Sequence, residues 1–336
     1  MAWRFKRGSA LWATHQRRCC GPPQVLDCRL QVSGVDEKMR RMRKTTAIPN
    51  RWRRGWPLGR MAALTALALL LMAGCATLDE QQRRWIFQPG TRTWAGAAAA
   101  EGMHEVWINF DADAPDGPVR LHGLWLPQPA ADAPVLLYLH GARWDVRSSA
   151  HRMRRMHELG FAVLGVDYRG FGQSTPGLPS EAMALEDARA AWRWLALQRP
   201  QATRYLFGHS LGGAIAVHLA AEVDDEAGLI VEGSFTSIAD VVSTFKWGWL
   251  PVGPFITQRF DAAARIAQVR TPVLVVHGSE DGLIRPALGR SLYEHAAEPK
   301  QFVLVQGGSH HNTNAVGMEQ YRLALAELFG LPGQRR

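Results

Sequence analysis

The sequence predicts an α/β domain built on a doubly wound, mostly parallel sheet with helices on both faces. Three observations carry that prediction. Short continuous apolar runs recur at residues 135–139, 161–166, 206–207, 229–231, 273–276 and 302–305, and runs apolar on both faces suit strands covered by helices on each side. Helical patterns fill the gaps at 149–159, 181–198, 214–223, 286–297 and 318–328; strand–helix alternation of this kind indicates an α/β architecture. Finally, Tyr205-Leu-Phe-Gly-His-Ser-Leu-Gly-Gly213 places a serine between glycines where a strand passes into a helix.

Each element follows from its own pattern. Residues 105–110 and 120–126 alternate apolar and polar, with a Pro/Asp/Gly cluster between them, and predict an opening antiparallel hairpin. In the Gly208-His-Ser-Leu-Gly212 turn, a strand and a helix meet so closely that the positions two before and two after the serine must be small. The turn holds the Ser210 hydroxyl exposed above a helix N-terminus, whose N–H groups stabilise nearby negative charge. Such a turn without chemistry is the plain alternative. No internal repeat is visible.

Composition and charge narrow the class. The chain has 336 residues, 47% of them hydrophobic, and a formal net charge of +9. That charge is not spread evenly. Residues 1–74 hold 15 Lys+Arg against 3 Asp+Glu, leaving 24 basic against 27 acidic residues in the rest. The basic excess belongs to the N-terminal leader, and no basic stripe with interleaved aromatics remains for a nucleic acid.

The leader has its own logic. Arg51, Arg53, Arg54 and Arg60 precede a 13-residue, predominantly apolar run, 61–73, which leads into Gly74-Cys75. A positive region, a short apolar run and small residues before a cleavage point describe a secretory signal peptide over 42–74. Thirteen residues at ~1.5 Å each fall short of a bilayer core about 30 Å thick. Leu71-Met-Ala-Gly-Cys75 resembles a bacterial lipobox, which implies a diacylated Cys75 as the new N-terminus and a stable membrane anchor. Ala76 after the cysteine implies the periplasmic face of the outer membrane in a Gram-negative host. An ordinary signal peptide or an uncleaved anchor is the alternative. Met39 or Met42 opens a leader of ordinary proportions, so residues 1–41 read as an upstream extension. Cys19, Cys20 and Cys28 lie in that extension. Nothing after Cys75 can form a disulfide or a cysteine-built metal site, so the exported domain rests on its core alone. Residues 75–104 read as a tether, with 91–102 an Ala/Gly-rich loop, and 105–331 as the domain.

At this point the sequence resembles a known superfamily. Leu139-His140-Gly141 after the third strand, Asp167-Tyr-Arg-Gly-Phe-Gly-Gln-Ser174 after the fourth, the Gly208–Gly212 elbow, His277-Gly-Ser-Glu-Asp281 and Gly307-Gly-Ser-His310 resemble the α/β-hydrolases in their expected order. The short cap-like insertion at about 235–271 and Glu232-Gly-Ser-Phe-Thr-Ser237 are most similar to bodyguard-type and protein-depalmitoylase-like serine hydrolases. The resemblance implies an α/β-hydrolase fold with a short helical cap. It also implies an oxyanion hole made by the backbone N–H groups of Leu211 and Ala142, and no cofactor or metal.

The chemistry stands beside the resemblance. A serine hydroxyl needs a base to remove its proton, and histidine suits that task near neutrality. The histidine in turn needs a carboxylate to fix its tautomer. The order Ser210, Asp281, His310 supplies all three, each just past a predicted strand, where ligand crevices of open α/β sheets lie. Two positions have rivals: His311 beside His310, and Glu232 at the end of a strand as another acid. His140, His209, Asp167 and Arg169 read as structural members of their turns.

The expected reaction is cleavage of a carboxylic ester or thioester through an acyl-enzyme. A peptidase or amidase of the same fold and a non-catalytic lipoprotein module are the alternatives. No acidic cluster for a free amino terminus is evident, which favours the ester. The insertion carries Phe245, Trp247, Trp249, Leu250, Pro251, Val252 and Phe255. Such a cluster reads as an apolar wall for acyl chains, as ordinary packing of the cap, or as a patch resting on the membrane.

Overall fold

Six apolar runs and one hairpin become a single twisted sheet in the computed structural model, which describes residues 58–91, 97–113, 117–246 and 248–331. The extension 1–41, the start of the leader and Trp247 lie outside the described residues. The chain divides into two units, 1–64 and 65–336; the described part of the first, 58–64, is helical.

Helix α1 (Leu58–Phe87) runs without interruption through Cys75. Among the described residues it holds the one segment, Arg60–Phe87, long and apolar enough to cross a membrane. The expected tether therefore begins as a rigid helix. Its last turns, 79–87, pack on the domain: Phe87 is fully buried in the main core, and Arg83 Nε donates to the Pro179 carbonyl at 2.9 Å. The loop reading of 91–102 also gives way in part, to a 3₁₀ turn at Ala97–Ala100.

Strands β1 (His104–Ala112) and β2 (Gly117–Leu126) form the expected hairpin, paired from His104 with Trp125 to Ala112 with Gly117. Strand β3 (Val135–Leu139) follows, then a 3₁₀ turn at Val146–Ser149, α2 (Ala150–Glu158), β4 (Ala162–Val166) and α3 (Glu181–Gln198). The elbow joins β5 (Arg204–His209) to α4 (Leu211–Ala220), and β6 (Gly228–Glu232) leads into the cap. The cap holds α5 (Ile238–Ser243), a 3₁₀ turn at Gly253–Phe255 and α6 (Ala262–Ile266). The chain ends with β7 (Val273–Gly278), α7 (Pro286–His295), β8 (Lys300–Val305), α8 (Thr313–Val316) and α9 (Met318–Phe329).

The sheet order is β1-β2-β4-β3-β5-β6-β7-β8; the β1–β2 and β2–β4 pairs are antiparallel and every pair from β4 to β8 is parallel. Strands β3, β4, β6 and β7 are buried at every residue, as continuous apolar runs require. Strand β8 departs from that expectation because it is the edge; Leu304 there is exposed. Helix α4 starts three residues earlier than its pattern indicates and is buried at every residue. It packs under the sheet centre, so no polar stripe marks its beginning.

Candidate active site

The elbow forms first because its neighbours leave no alternative. A Cβ on Gly208 would lie 2.2 Å from the Gly212 carbonyl oxygen, and one on Gly212 would lie 2.1 Å from that of Leu139. Only hydrogen fits at either position. Ser210 between them holds φ +55° and ψ −123°, a conformation that costs a non-glycine residue about 1–3 kcal/mol. Three hydrogen bonds offset that strain: the Ser210 N–H donates to the Glu232 carbonyl at 2.9 Å, and its own carbonyl accepts from Gly213 N–H and Ser234 Oγ. The turn is thereby over-determined.

The loops after β7 and β8 bring the other two groups to the serine. His310 Nε2 stands 3.0 Å from Ser210 Oγ, and His310 Nδ1 stands 2.7 Å from Asp281 Oδ2. Both His310 and Asp281 are buried. Asp281 Oδ1 accepts from the Leu283 and Ile284 N–H groups at 3.0 and 2.8 Å. His277 Nε2 donates to the Ile284 carbonyl at 2.9 Å and lies 3.3 Å from Asp281 Oδ2. Burial works against charge on Asp281, but hydrogen bonds from His277 and His310, the His310 charge and the Ile284 N–H hold its carboxyl well below the ordinary 3.8. An ionised Asp281 keeps the proton on His310 Nδ1. Nε2 is then the acceptor facing the serine hydroxyl.

His209 supports this arrangement from beneath. Its Nε2 donates to the His310 carbonyl at 3.0 Å, and the two rings lie 4.8 Å apart. Burial, then the nearby charges of Arg152 and His310, push the His209 imidazole well below 6.5, so it stays neutral. His140 and Asp167 hold the neighbouring turn. Asp167 takes the Val146 N–H at 2.7 Å and His122 Nδ1 at 3.0 Å. Arg169 is given to Asp187 at 2.8 Å and to Glu186. These are the structural roles their turns imply.

The loop after β3 comes directly against the serine: a Cβ on Gly141 would lie 3.0 Å from Ser210 Cβ. Ala142 follows and lines the cavity. The Arg143 N–H is already committed to the Phe87 carbonyl at 2.9 Å, which ties the end of α1 to this loop. Leu211 opens α4, so its N–H has no carbonyl one helical turn behind it.

Sequence reasoning misses much of the cavity wall. Beside Ser210, His310 and His311 it includes Trp144, Ser148, Ser149, His151 and Arg152 from the turn before α2 and its first residues. No local motif marks them, because their partners are distant in sequence. Arg152 is buried and donates through Nε to Glu232 Oε1 at 2.8 Å; the other Glu232 oxygen accepts the Tyr321 hydroxyl. Glu232 is therefore occupied and is not the carboxylate at His310. His311 is exposed at the cavity. None of the described residues lining this cavity comes from the cap. Cys75 is exposed on α1. Among the described residues, no cluster of His, Cys, Asp and Glu stands ready to hold a metal.

Residues 130–260 match the family model Hydrolase_4, described as serine aminopeptidase, S33. An uncharacterized protein of Mycobacterium tuberculosis (strain CDC 1551 / Oshkosh) is 35% identical over 258 residues, 75% of this chain and 89% of its own length. A lysophosphatidylserine lipase, ABHD12, of Danio rerio is 30% identical over 208 residues, 53% of this chain and 54% of that protein. Among solved structures, the Pyrococcus furiosus esterase Pf2001 superposes with a TM-score of 0.57 at 19% identity, over 72% of this chain and 98% of its own. Est1E from Butyrivibrio proteoclasticus does so with a TM-score of 0.54 at 18% identity, over 67% and 99%. The eight-stranded sheet, the serine elbow and these matches agree: the chain belongs to the α/β-hydrolase superfamily and is a serine hydrolase.

Proposed function

We propose that the chain is a membrane-held serine esterase in which Ser210 is the nucleophile, His310 the general base and acid, and Asp281 the group that orients and stabilises the imidazolium. The observation that carries this reading is the unbroken line from Ser210 Oγ through His310, at 3.0 and 2.7 Å, to a carboxylate whose environment keeps it ionised. His310 Nε2 takes the hydroxyl proton as Oγ attacks the carbonyl carbon. The oxyanion is met by the Ala142 and Leu211 N–H groups. His310 then returns the proton to the leaving alcohol or thiol, and water cleaves the acyl-enzyme by the reverse sequence.

The substrate is a carboxylic ester or thioester, with a monoacyl phospholipid ester as the favoured class. Two observations support that choice over an aminopeptidase substrate. None of the described residues lining the cavity is acidic, so a free amino group finds no counter-charge there. The exposed Arg143 beside Ala142 suits an anionic headgroup instead. The lysophosphatidylserine lipases among the relatives carry the same implication. In this reading residues 42–74 form the signal peptide, Cys75 carries the lipid, and the enzyme faces the periplasm in a Gram-negative host. A fluorophosphonate probe tests the central assignment: it labels the wild-type chain and spares Ser210→Ala. Equal labelling of both removes Ser210 from the mechanism. Retention of fatty-acid labelling in Cys75→Ser removes the lipid anchor.

A further inference from the structure

The cap presents an apolar face that the cavity does not use. Trp249 and Phe255 are 73% and 65% exposed, and Trp85, Phe245 and Leu250 around them are also exposed. Exposed apolar clusters of this kind, beyond scattered single residues, mark an interaction surface. What covers this one follows from the helix beside it.

Helix α1 is bolted to the cap along one face. Gln258 Nε2 donates to Asp79 Oδ1 at 2.8 Å; Gln82 Nε2 donates to the Phe255 carbonyl at 2.7 Å and its Oε1 accepts the Thr257 N–H at 2.9 Å. Trp85 meets Phe245 edge-on at 6.1 Å. Residues 79, 82 and 85 recur at a three-residue interval on one side of a helix. Cys75 lies on the same helix, seven residues before Gln82, and the helix between them is continuous. At ~1.5 Å per residue that spacing is about 10 Å. A headgroup layer is roughly 5–8 Å deep on each side of the hydrocarbon core. A membrane that holds residue 75 at the edge of its hydrocarbon core, through acyl chains there or through the apolar helix before it, thus brings Phe255 and its neighbours to the outer edge of the headgroup layer, a few ångströms from the depth where tryptophan and other aromatic rings concentrate.

We propose that the exposed aromatic face of the cap docks on the bilayer that anchors the chain, and presents the active-site mouth to esters carried in that bilayer. The proposal rests on the membrane anchoring read above, and adds to it a surface, an orientation and a source of substrate. The mouth adjoins the face: Arg285 Nη2 donates to the Thr244 carbonyl at 2.8 Å, next to Phe245, while Leu283, two residues earlier, is exposed on the cavity wall. Because the linker is a helix and not a loose tether, the cap is held within reach of the lipid at high effective concentration, and a modest docking energy suffices.

The test uses the full chain reconstituted in phosphatidylcholine vesicles. Turnover of a long-chain 4-methylumbelliferyl ester dissolved in the vesicles is compared with that of p-nitrophenyl acetate in water, for wild type and the double variant Trp249→Gln/Phe255→Gln. The variant should hydrolyse the water-soluble ester within about twofold of wild type and the vesicle-borne ester about tenfold more slowly, the loss expected when two aromatic side chains no longer enter lipid. Brominated phosphatidylcholine should quench wild-type tryptophan fluorescence, and Trp249→Phe should remove part of that quenching. Wild type that fails to float with vesicles defeats the anchoring and the docking together. Wild type that floats, with a variant matching it on the vesicle-borne ester or with quenching unchanged in Trp249→Phe, defeats the docking alone. A dimer in detergent that the double variant dissociates would assign the face to a second copy of the chain and overturn the proposal.

Discussion

Two buried carboxylates stand at the ends of neighbouring strands, and they are built for opposite ends. Glu232 closes β6 and is fully buried; Asp281 follows β7 and is 4% exposed. Both are hydrogen-bonded through both oxygens. The difference lies in what each one holds. Glu232 pairs with the Arg152 guanidinium, which stays charged under all ordinary conditions, and with the Tyr321 hydroxyl, which burial holds protonated well above 10. Neither partner changes its protonation state near neutral pH. Asp281 holds an imidazole whose far nitrogen faces a serine at an open cavity. Burial and charge therefore do not identify a reactive carboxylate; the partner's capacity to accept a proton does.

The widest test of that contrast is the loss of turnover. Ser210→Ala or His310→Ala should lower kcat roughly 10⁴- to 10⁶-fold, and Asp281→Asn on the order of 10⁴-fold through the wrong imidazole tautomer. Adding Asp281→Asn to Ser210→Ala should cost almost nothing more if the three act as the proposed unit. Hydrolysis of p-nitrophenyl acetate by the full chain, with folding followed by circular dichroism, gives each value. Glu232→Gln in a protein that remains folded should keep most of its activity. A folded Glu232→Gln chain with no turnover would erase the distinction between the two carboxylates. The same asymmetry has a pH signature. Since folding depresses the Asp281 pKa below 3.8, its ionisation contributes stability that is complete well above that value and is lost as pH falls through the folded value. The melting-temperature gap between wild type and Asp281→Asn should thus narrow in acid. A gap that widens below pH 3.8 would contradict this account.

Stability should reveal the second carboxylate where activity reveals the first. Arg152→Met leaves Glu232 buried without its counter-charge and should destabilise the fold by about 3–5 kcal/mol. In a domain of this size, each kcal/mol moves the melting temperature by roughly 2–4 °C. Arg152→Met/Glu232→Leu removes both charges and should recover much of that loss, since a well-packed apolar pair replaces a buried ion pair at little cost. Thermal melts of the two variants decide it. If the double variant melts as low as the single one, the loss comes from packing and not from the orphaned charge.

The elbow and the central strands are legible in the sequence because their causes are local. Gly208 and Gly212 are small for steric reasons that lie within a few residues, and the runs at β3, β4, β6 and β7 are apolar because both faces of the sheet are covered. What escapes the sequence is set by partners far along the chain. Arg152 looks like any basic residue on an amphipathic helix; its meaning comes from Glu232, 80 residues on, and Tyr321 beyond it. The end of α1 reads as tether because the apolar run stops at Ala73 and the Asp79–Arg84 stretch is polar. Its contacts lie 56 to 179 residues away, from Arg143 to Gln258. The cap's aromatics are visible as a cluster, but nothing in a linear pattern tells a pocket wall from an outward face.

The smallest effect falls where the two carboxylate systems meet. His310 and His311 are adjacent, and each gives its carbonyl to a different support: His209 Nε2 holds that of His310 at 3.0 Å, and Arg152 Nη2 holds that of His311 at 3.3 Å. The loop is thus pinned from beneath by a neutral histidine on the serine elbow and by the cation of the Glu232 system. Both supports act on main-chain oxygens, so the His311 side chain is not needed for either. Its imidazole lies edge-on to His310 at 5.4 Å, exposed at the cavity. Burial, then the charges of His310 and Arg152, lower its pKa below 6.5, so it brings little positive charge to the site at neutral pH. His311→Ala should therefore change kcat by less than about threefold, the scale of a surface substitution that keeps the backbone bonds intact. Side-by-side rates for His310→Ala and His311→Ala on p-nitrophenyl acetate supply the check. Should His311→Ala abolish turnover while His310→Ala spares it, the roles of the two histidines are exchanged. The hydroxyl, the carboxylate and the acyl-enzyme would then keep their places around a different base.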